Sequence, residues 1–347
     1  MRVGIVGLGR IFDLHALGHV DNPDSEVVAL CDLSEERRTQ RRAEWPDAEF
    51  FSDLDTFLAA DVDLVDVLVP TPLHHEVVCA ALRAGRHVNV QKPMARTLAE
   101  ADDMIALAEE AGVVLRVMEN FLFYEPLMKL KQVVESGDLG DPVGFAMKMV
   151  GTGVGGWEVP FDTWLWQMAE VGEGRGILAF DDGWHKFSVA RWLFGPVAEV
   201  MGWIGATDLG GGYVLDAPST VMWNHTNGMR GVFDMTLAPE MRMESDYYSN
   251  DERFEVTCRE GFVRVNHCTA HGLRQPALEV YRDGELRQFH ALDEDWASSF
   301  RDSTRHMLRY MRGKEDDPLW SAADAREVLA FALAAHESSD ANAPVTM

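Results

Sequence analysis

Lysine is scarce in this chain. Of 31 basic residues only six are lysines, Lys92, Lys129, Lys131, Lys148, Lys186 and Lys314, so each one invites a separate question. Basic charge as a whole is outnumbered by 57 acidic residues, leaving a formal net charge of -26. Such a surface repels phosphate backbones and anionic lipid, which argues against nucleic acid or a membrane as partner. Solubility is the cheaper explanation of the acidity. No apolar run approaches the roughly 18 residues of a membrane span, and no basic-then-apolar leader precedes the first apolar strand. Four cysteines, Cys31, Cys79, Cys258 and Cys268, show no C-x-x-C pairing. The first two sit in apolar runs, where cysteine behaves as a small hydrophobe, so neither a disulfide framework nor a metal centre is expected. A reducing cytoplasm is the expected setting. With 347 residues, 47% of them hydrophobic, the chain is long enough for two domains with substantial cores.

What the chain does have is organised around Val88–Ala95, V-N-V-Q-K-P-M-A. A β-branched run that reads as a buried strand stops at Gln91-Lys92-Pro93, which delivers a lysine to the carboxyl end of a strand, where open α/β sheets bind ligands. Lysine is a mobile donor whose pKa responds to burial, and the proline ends the ladder because it lacks an N–H. A surface lysine at a strand exit is the plainer reading of these residues alone.

The flanking pattern favours the chemical reading. Arg2–Val6 is a short apolar strand leading into Gly7-Leu8-Gly9-Arg10-Ile11-Phe12, followed by helical spacing of Ile11, Leu14 and Leu17. In a dinucleotide fold the first glycine makes the tight turn, the second lets pyrophosphate approach, and the helix start stabilises the anion. Gly7, Gly9, Arg10 and Ile11 are the candidate cofactor-binding turn, although the third small position is filled by Phe12. The next strand, Val27–Cys31, ends at Asp32, about where an acidic side chain meets the adenosine ribose. A carboxylate there repels a 2'-phosphate and selects NAD over NADP. Further strands are expected at Leu64–Val69, Val88 onward and Val113–Val117, with a capping box, Thr97 and Glu100, opening an intervening helix. Five β-then-α units predict a doubly wound parallel sheet over residues 1–120.

Beyond residue 120 the pattern changes. A helix near Pro126–Ser136 is followed by hairpin signals at Asn227-Gly228, Glu260-Gly261 and Asp283-Gly284, which predict an antiparallel sheet. Helices are expected at about Ile177–Phe194, Trp296–Arg312 and from Ser321. The expected second domain, residues 121–347, is therefore α+β. Within its first long helix Asp181 and His185 stand four apart on one face, an arrangement that can orient an imidazole and raise its basicity. A solvated helix face gives the same spacing. Gly183, about 1 kcal/mol costlier than alanine in a helix, suggests that something approaches the backbone closely.

The glycine turn, the K-P after the fourth strand, and D-x-G-x-H followed by A-R-W-L together resemble the Gfo/Idh/MocA family of sugar and polyol oxidoreductases. The likeness extends through Pro70 and His74, Ala84-Gly85-Arg86-His87-Val88 and Asn120, and covers nearly the whole chain. It implies a Rossmann domain followed by a domain with a large open-faced sheet, often assembled into dimers or tetramers through that sheet. It further implies Lys92, Asp181 and His185 as catalytic residues. Gly7, Gly9, Arg10, Ile11, Asp32, Pro70, His74, Gln91 and Lys92 would bind NAD. The chemistry would be hydride transfer between nicotinamide and a sugar carbon, with the roles of Lys92 and His185 open to exchange. Two departures stand out: the family's E-K-P is Q-K-P here, and its third glycine or alanine is Phe12, which either shifts the cofactor or packs beside it.

Candidate substrate contacts are Asn120, Tyr124, Trp164, Arg175 and Lys186. The last two are the basic groups nearest the catalytic helix and could meet a substrate carboxylate, or could be surface charge. Most aromatics in this region, Phe121, Phe123, Trp157, Trp166 and Trp184 among them, are better read as core than as sugar platforms. Two other functions fit the motifs: an NAD-dependent glycoside hydrolase working by transient oxidation and elimination, and a non-catalytic NAD-binding sensor. A sensor would need none of Lys92, Asp181 and His185.

Overall fold

The computed structural model describes residues 1–157, 178–210, 213–270 and 274–347. The chain divides into two compact units, Met1–Asn120 with Ala297–Leu329, and Phe121–Trp296 with Ala330–Met347.

The first unit is a six-stranded sheet in the order β3-β2-β1-β4-β5-β6, parallel throughout. Its elements are β1 (Arg2–Val6), α1 (Ile11–Ala16), β2 (Glu26–Cys31), α2 (Glu35–Arg42), β3 (Glu49–Phe51), α3 (Leu54–Leu58), β4 (Leu64–Val67), α4 (His74–Arg83), β5 (His87–Val90), α5 (Leu98–Ala111) and β6 (Leu115–Val117). This is the doubly wound order with its switch point between β1 and β4. The sequence reading missed β3, whose three residues are too few to carry a periodic signal. Thr97 caps α5 as expected, accepting from Glu100 N–H at 3.2 Å, but Glu100 returns its carboxylate to the N–H of Arg96, one residue earlier than a capping box requires.

Residues 297–329, expected in the second domain, group with this unit instead. Met307 and Leu308 of the helix Trp296–Met311 are buried in one cluster with Val3, Ile5, Phe12, Leu30 and Leu64. The helix thus uses its apolar stripe to cover a sheet that precedes it by almost the whole chain, a pairing that local pattern cannot announce.

The second unit is built on a nine-stranded sheet. Its order is Glu285–Phe289, Leu278–Arg282, Gly261–Val265, Asn250–Cys258, Pro142–Val154, Arg230–Arg242, Ser219–His225, Val197–Ile204 and Val345–Thr346. Every pairing is antiparallel except Pro142–Val154 with Arg230–Arg242. The three expected hairpins are present. At Asp283-Gly284 both residues have positive φ, 52° and 84°, the geometry that makes Asp-Gly a two-residue turn. Alternation along Pro142–Val154 sends Phe145, Met147 and Met149 into the core. There the helix Gly183–Phe194 is buried over most of its length, with Phe187 4.3 Å from the ring of Phe331.

Candidate active site

The turn after β1 is specified by two glycines with different reasons. Gly7 has φ +99°, and a Cβ there would lie 2.7 Å from the Leu68 backbone, so the protein's own packing demands glycine. At Gly9 the nearest atoms to an added Cβ are those of the Arg37 guanidinium, at 3.8 and 3.9 Å, so no packing within the chain requires the missing side chain. The backbone at Gly9 is therefore open to a group from outside the chain. Asp32, 8% exposed at the end of β2, accepts from Leu8 N–H and Ser34 N–H at 2.8 Å each, with Arg37 at 3.4 Å. A carboxylate offers about four acceptor sites, so capacity remains for a ribose hydroxyl. These residues fit a dinucleotide. Phe12 lies in the core at 1% exposure, edge-on to Trp45 at 6.0 Å and beneath the Arg41 guanidinium at 4.6 Å. The bulky third position is therefore absorbed between α1 and the residues around α2.

Lys92 follows β5 by two residues and is half-buried. Its strand end is held from two sides. Gln91 Oε1 accepts the N–H of Lys92 at 2.6 Å. His74, fully buried at the start of α4, reaches the carbonyls of Pro93 and Val69 at 2.8 and 2.9 Å, tying the segment after β5 to the segment after β4. Pro70, exposed, leads into the short turn Thr71–Leu73 that delivers His74. Two residues expected at the cofactor, His74 and Gln91, thus spend hydrogen bonds on the geometry of the Lys92 loop.

Behind this strand end runs a polar row that the sequence reading overlooked. Asp66, Asn89 and Arg116 occupy matching positions on β4, β5 and β6. Asp66 accepts from Asn89 at 2.9 Å and pairs with His19 at 2.9 Å, while Arg116 meets Asn89 at 3.4 Å and Ser303 at 2.8 Å. Burial alone would raise the Asp66 carboxyl, but the His19 hydrogen bond and neighbouring charge hold it below its usual range. Burial lowers Arg116 to about 10 against the pull of Asp66 and Glu119. The signal was visible: each of these strands reads apolar-polar-apolar at the same phase, L-V-D-V, V-N-V and L-R-V. Asn120, a candidate substrate contact, is 1% exposed and donates to Ser299 at 2.9 Å within this unit.

In the second unit, Leu178–Asp182 forms a π-helical turn that passes into the α-helix Gly183–Phe194. A π turn inside a helix is an uncommon geometry found disproportionately at functional sites. Asp181 and His185 bracket the junction. Asp216 anchors the turn by accepting from the N–H groups of Leu178 and Ala179 at 3.0 and 2.6 Å, and its buried carboxyl is raised by desolvation in spite of those bonds. Gly183 proves to admit Phe187, whose ring would lie 3.2 Å from an added Cβ, so the close approach expected there comes from inside the helix.

His185, 6% exposed, stacks on Phe121 with centroids 4.3 Å apart and planes inclined by 19°. The Lys186 ammonium lies 5.2 Å from the same ring and is paired with Glu252; lysine and glutamate side chains are 1% and 3% exposed. Burial pushes the ammonium down, but Glu252 and Asp182 more than offset it and Lys186 is raised. It pairs with Glu252 over the Phe121 ring and presents no cation to solvent. Tyr124, also 1% exposed, donates to the carbonyls of His267 and Cys268 at 3.4 and 3.3 Å, and burial pushes its phenol well above 10. Trp164 and Arg175 lie outside the described residues. Phe121 was read as core packing, and Asp216 and Glu252 carried no signal, because the value of all three comes from contacts between distant segments.

Comparison with known proteins gives the family. Residues 1–119 match the oxidoreductase family described as the Gfo/Idh/MocA NAD-binding Rossmann fold, and residues 127–264 match that family's C-terminal domain. The chain is 29% identical over 263 residues to the D-apiose dehydrogenase of Paraburkholderia graminis, covering 72% of this chain and 67% of that protein. It is 25% identical over 346 residues to the myo-inositol 2-dehydrogenase of Thermotoga maritima, covering 97% and 96%. Among solved structures, an Agrobacterium radiobacter oxidoreductase in complex with NAD+, L-tartaric acid and magnesium shares the fold at a TM-score of 0.80 and 22% identity, covering 100% of this chain and 98% of that one. The chain belongs to the Gfo/Idh/MocA oxidoreductase family, and its cofactor is NAD.

Proposed function

We propose that this protein is an NAD(H)-dependent dehydrogenase acting on a secondary hydroxyl or ketone of a sugar, glycoside, inositol or sugar acid. The observation that carries the reading is the combination, in one chain, of an NAD-binding turn whose Gly9 is open to an outside group with a buttressed Lys92 and with Asp181 and His185 on an anchored π turn. Relatives named as D-apiose, myo-inositol and D-glucoside dehydrogenases support the substrate class.

Bound NAD supplies the hydride acceptor. His185 takes the hydroxyl proton as the carbinol carbon gives up its hydride, Asp181 orients the imidazole, and the Lys92 ammonium polarises the same oxygen; in the reverse direction His185 returns the proton. The stack on Phe121 fixes the plane of the imidazole. Lys92 and His185 could exchange the proton-transfer and polarising roles without changing the balance.

The protein acts as a dimer or tetramer joined through the outward face of its large sheet, in a reducing cytoplasm. Met201, Met222, Val232 and Ala146 fall in one register row across that sheet, and Met222 and Trp203 are 39% and 48% exposed, an apolar stripe suited to a second copy. All four cysteines are free and buried.

The test is a panel of monosaccharides, inositols, sugar acids and glycosides incubated with NAD, followed by NADH absorbance and product analysis. At least one polyol or sugar is expected to yield NADH and ketone in equal amounts. Cleavage of a glycoside without net NADH would replace the reading by oxidation and elimination. NAD binding with no turnover across the panel would replace it by a sensor.

A further inference from the structure

Gln91 departs from the family's glutamate at this position, and its side chain is held in one orientation by what it touches. The N–H of Lys92 can only donate, so the atom 2.6 Å from it is the amide oxygen. The other end of the amide is then the NH2 group, which can only donate, and it lies 3.2 Å from Nε2 of His15. Nε2 must accept. The imidazole therefore carries its single proton on Nδ1 and is neutral. His15 is fully buried, its ring edge-on to Phe300 at 5.6 Å, and its Nδ1 has no hydrogen-bond partner among the described residues.

The charged groups facing His15 come from three elements: Asp66 on β4, which favours the imidazolium, and His19 beyond α1 and Arg116 on β6, which disfavour it. Both oxygens of Asp66 are already engaged, by His19 and Asn89. Burial is the largest influence and lowers His15 to about 4, so the ring remains neutral through the ordinary working range.

We propose that Gln91 and His15 are a positioning pair that ties the strand end carrying Lys92 to α1, and that glutamine is used here because it makes this tie uncharged. A glutamate would accept from Lys92 N–H with one oxygen and present the other to Nε2, which would then have to be protonated. The ring would move to the Nε2–H form or take up a second proton, and the Lys92 loop would acquire a histidine titration that the glutamine form lacks. This rests on the reading of Lys92 as a group that acts on substrate.

Nitrogen-15 NMR of the imidazoles in the full-length protein tests it directly, with His15 identified by the signal missing from His15→Phe. The expected wild-type spectrum shows His15 protonated at Nδ1 and unchanged down to about pH 5.5, whereas in Gln91→Glu the ring is protonated at Nε2 and its titration midpoint moves up by more than about one pH unit. In Gln91→Glu the pH profile of kcat/KM should gain a limb that disappears in Gln91→Glu/His15→Phe. A wild-type His15 protonated at Nε2, or a Gln91→Glu spectrum and profile identical to wild type, overturns the proposal. Thermal melts separate these effects from unfolding. If Lys92→Met keeps full activity the reading of Lys92 fails, yet the tautomer measurement still decides the pairing.

Discussion

The loop that carries Lys92 and the turn that carries Asp181 and His185 are held in place by different means. Lys92 leaves a strand whose register fixes its direction, and its loop is secured by Gln91, whose amide oxygen accepts from the Lys92 N–H, and by His74, whose partners are backbone carbonyls. The π turn has no strand to define it. It is anchored by Asp216 from 35 residues or more along the chain, and His185 is stacked on Phe121, over whose ring lies the ammonium of the buried Lys186–Glu252 pair. The first arrangement is robust because it reuses the ladder of the sheet. The second depends on a few side chains taken out of water, where losing one partner strands the other.

Breaking the buried pair should give the largest effect on this contrast. Glu252→Ala leaves the Lys186 ammonium buried and unpaired, at an expected cost of about 3 to 5 kcal/mol. Glu252→Leu with Lys186→Met should recover most of it, and below the melting transition of the single variant NAD affinity should stay near wild type. Denaturant melts with an NAD titration read both; a single variant as stable as wild type would mean that the pair contributes little. Acid comes next and acts on the first unit. Burial holds folded His15 at about 4 against 6.5 in the open chain, so between those values the unfolded state binds the proton that the folded state refuses. Stability present above pH 6.5 is then lost as pH falls toward 4, by up to about 3 kcal/mol, and His15→Phe should flatten that slope. The smallest effect concerns Asp32: at least tenfold preference for NAD over NADP, about 1.4 kcal/mol, that Asp32→Ala should nearly abolish by leaving Arg37 without its neighbouring carboxylate. Equal efficiency of the wild type with both cofactors would remove Asp32 from cofactor selection.

The same contrast explains what was legible in the sequence. The parallel sheet, the glycine turn and the Lys92 strand end were readable because strand-turn-helix units write their logic within about ten residues, and the hairpins at Gly228 and Gly284 because a positive φ narrows the choice of residue. The helix Trp296–Met311 was legible from its periodicity, whereas its packing was not, since its partner surface comes from the chain's first strands. Spacing placed Asp181 and His185 together, yet it could not reveal the π turn between them or the residues that brace it. Lys186 drew attention as a scarce cation. What decides its behaviour is Glu252, 66 residues away and unmarked by any motif. The polar row Asp66–Asn89–Arg116 is written as one polar residue in each of three apolar strands, and only the register of the sheet joins them.

The central proposal is that Lys92 and His185, braced so differently, serve one proton-handling step. The most direct test is kcat with the substrate found in the panel for Lys92→Met, His185→Ala and the double variant, alongside NAD titration of each. Each single substitution should lower kcat by about a hundredfold or more with NAD affinity nearly intact, and the double should fall within about tenfold of the worse single, as for groups that act as a unit. Near-normal turnover in either single variant, or a double variant reduced by the full product of the two losses, would contradict it.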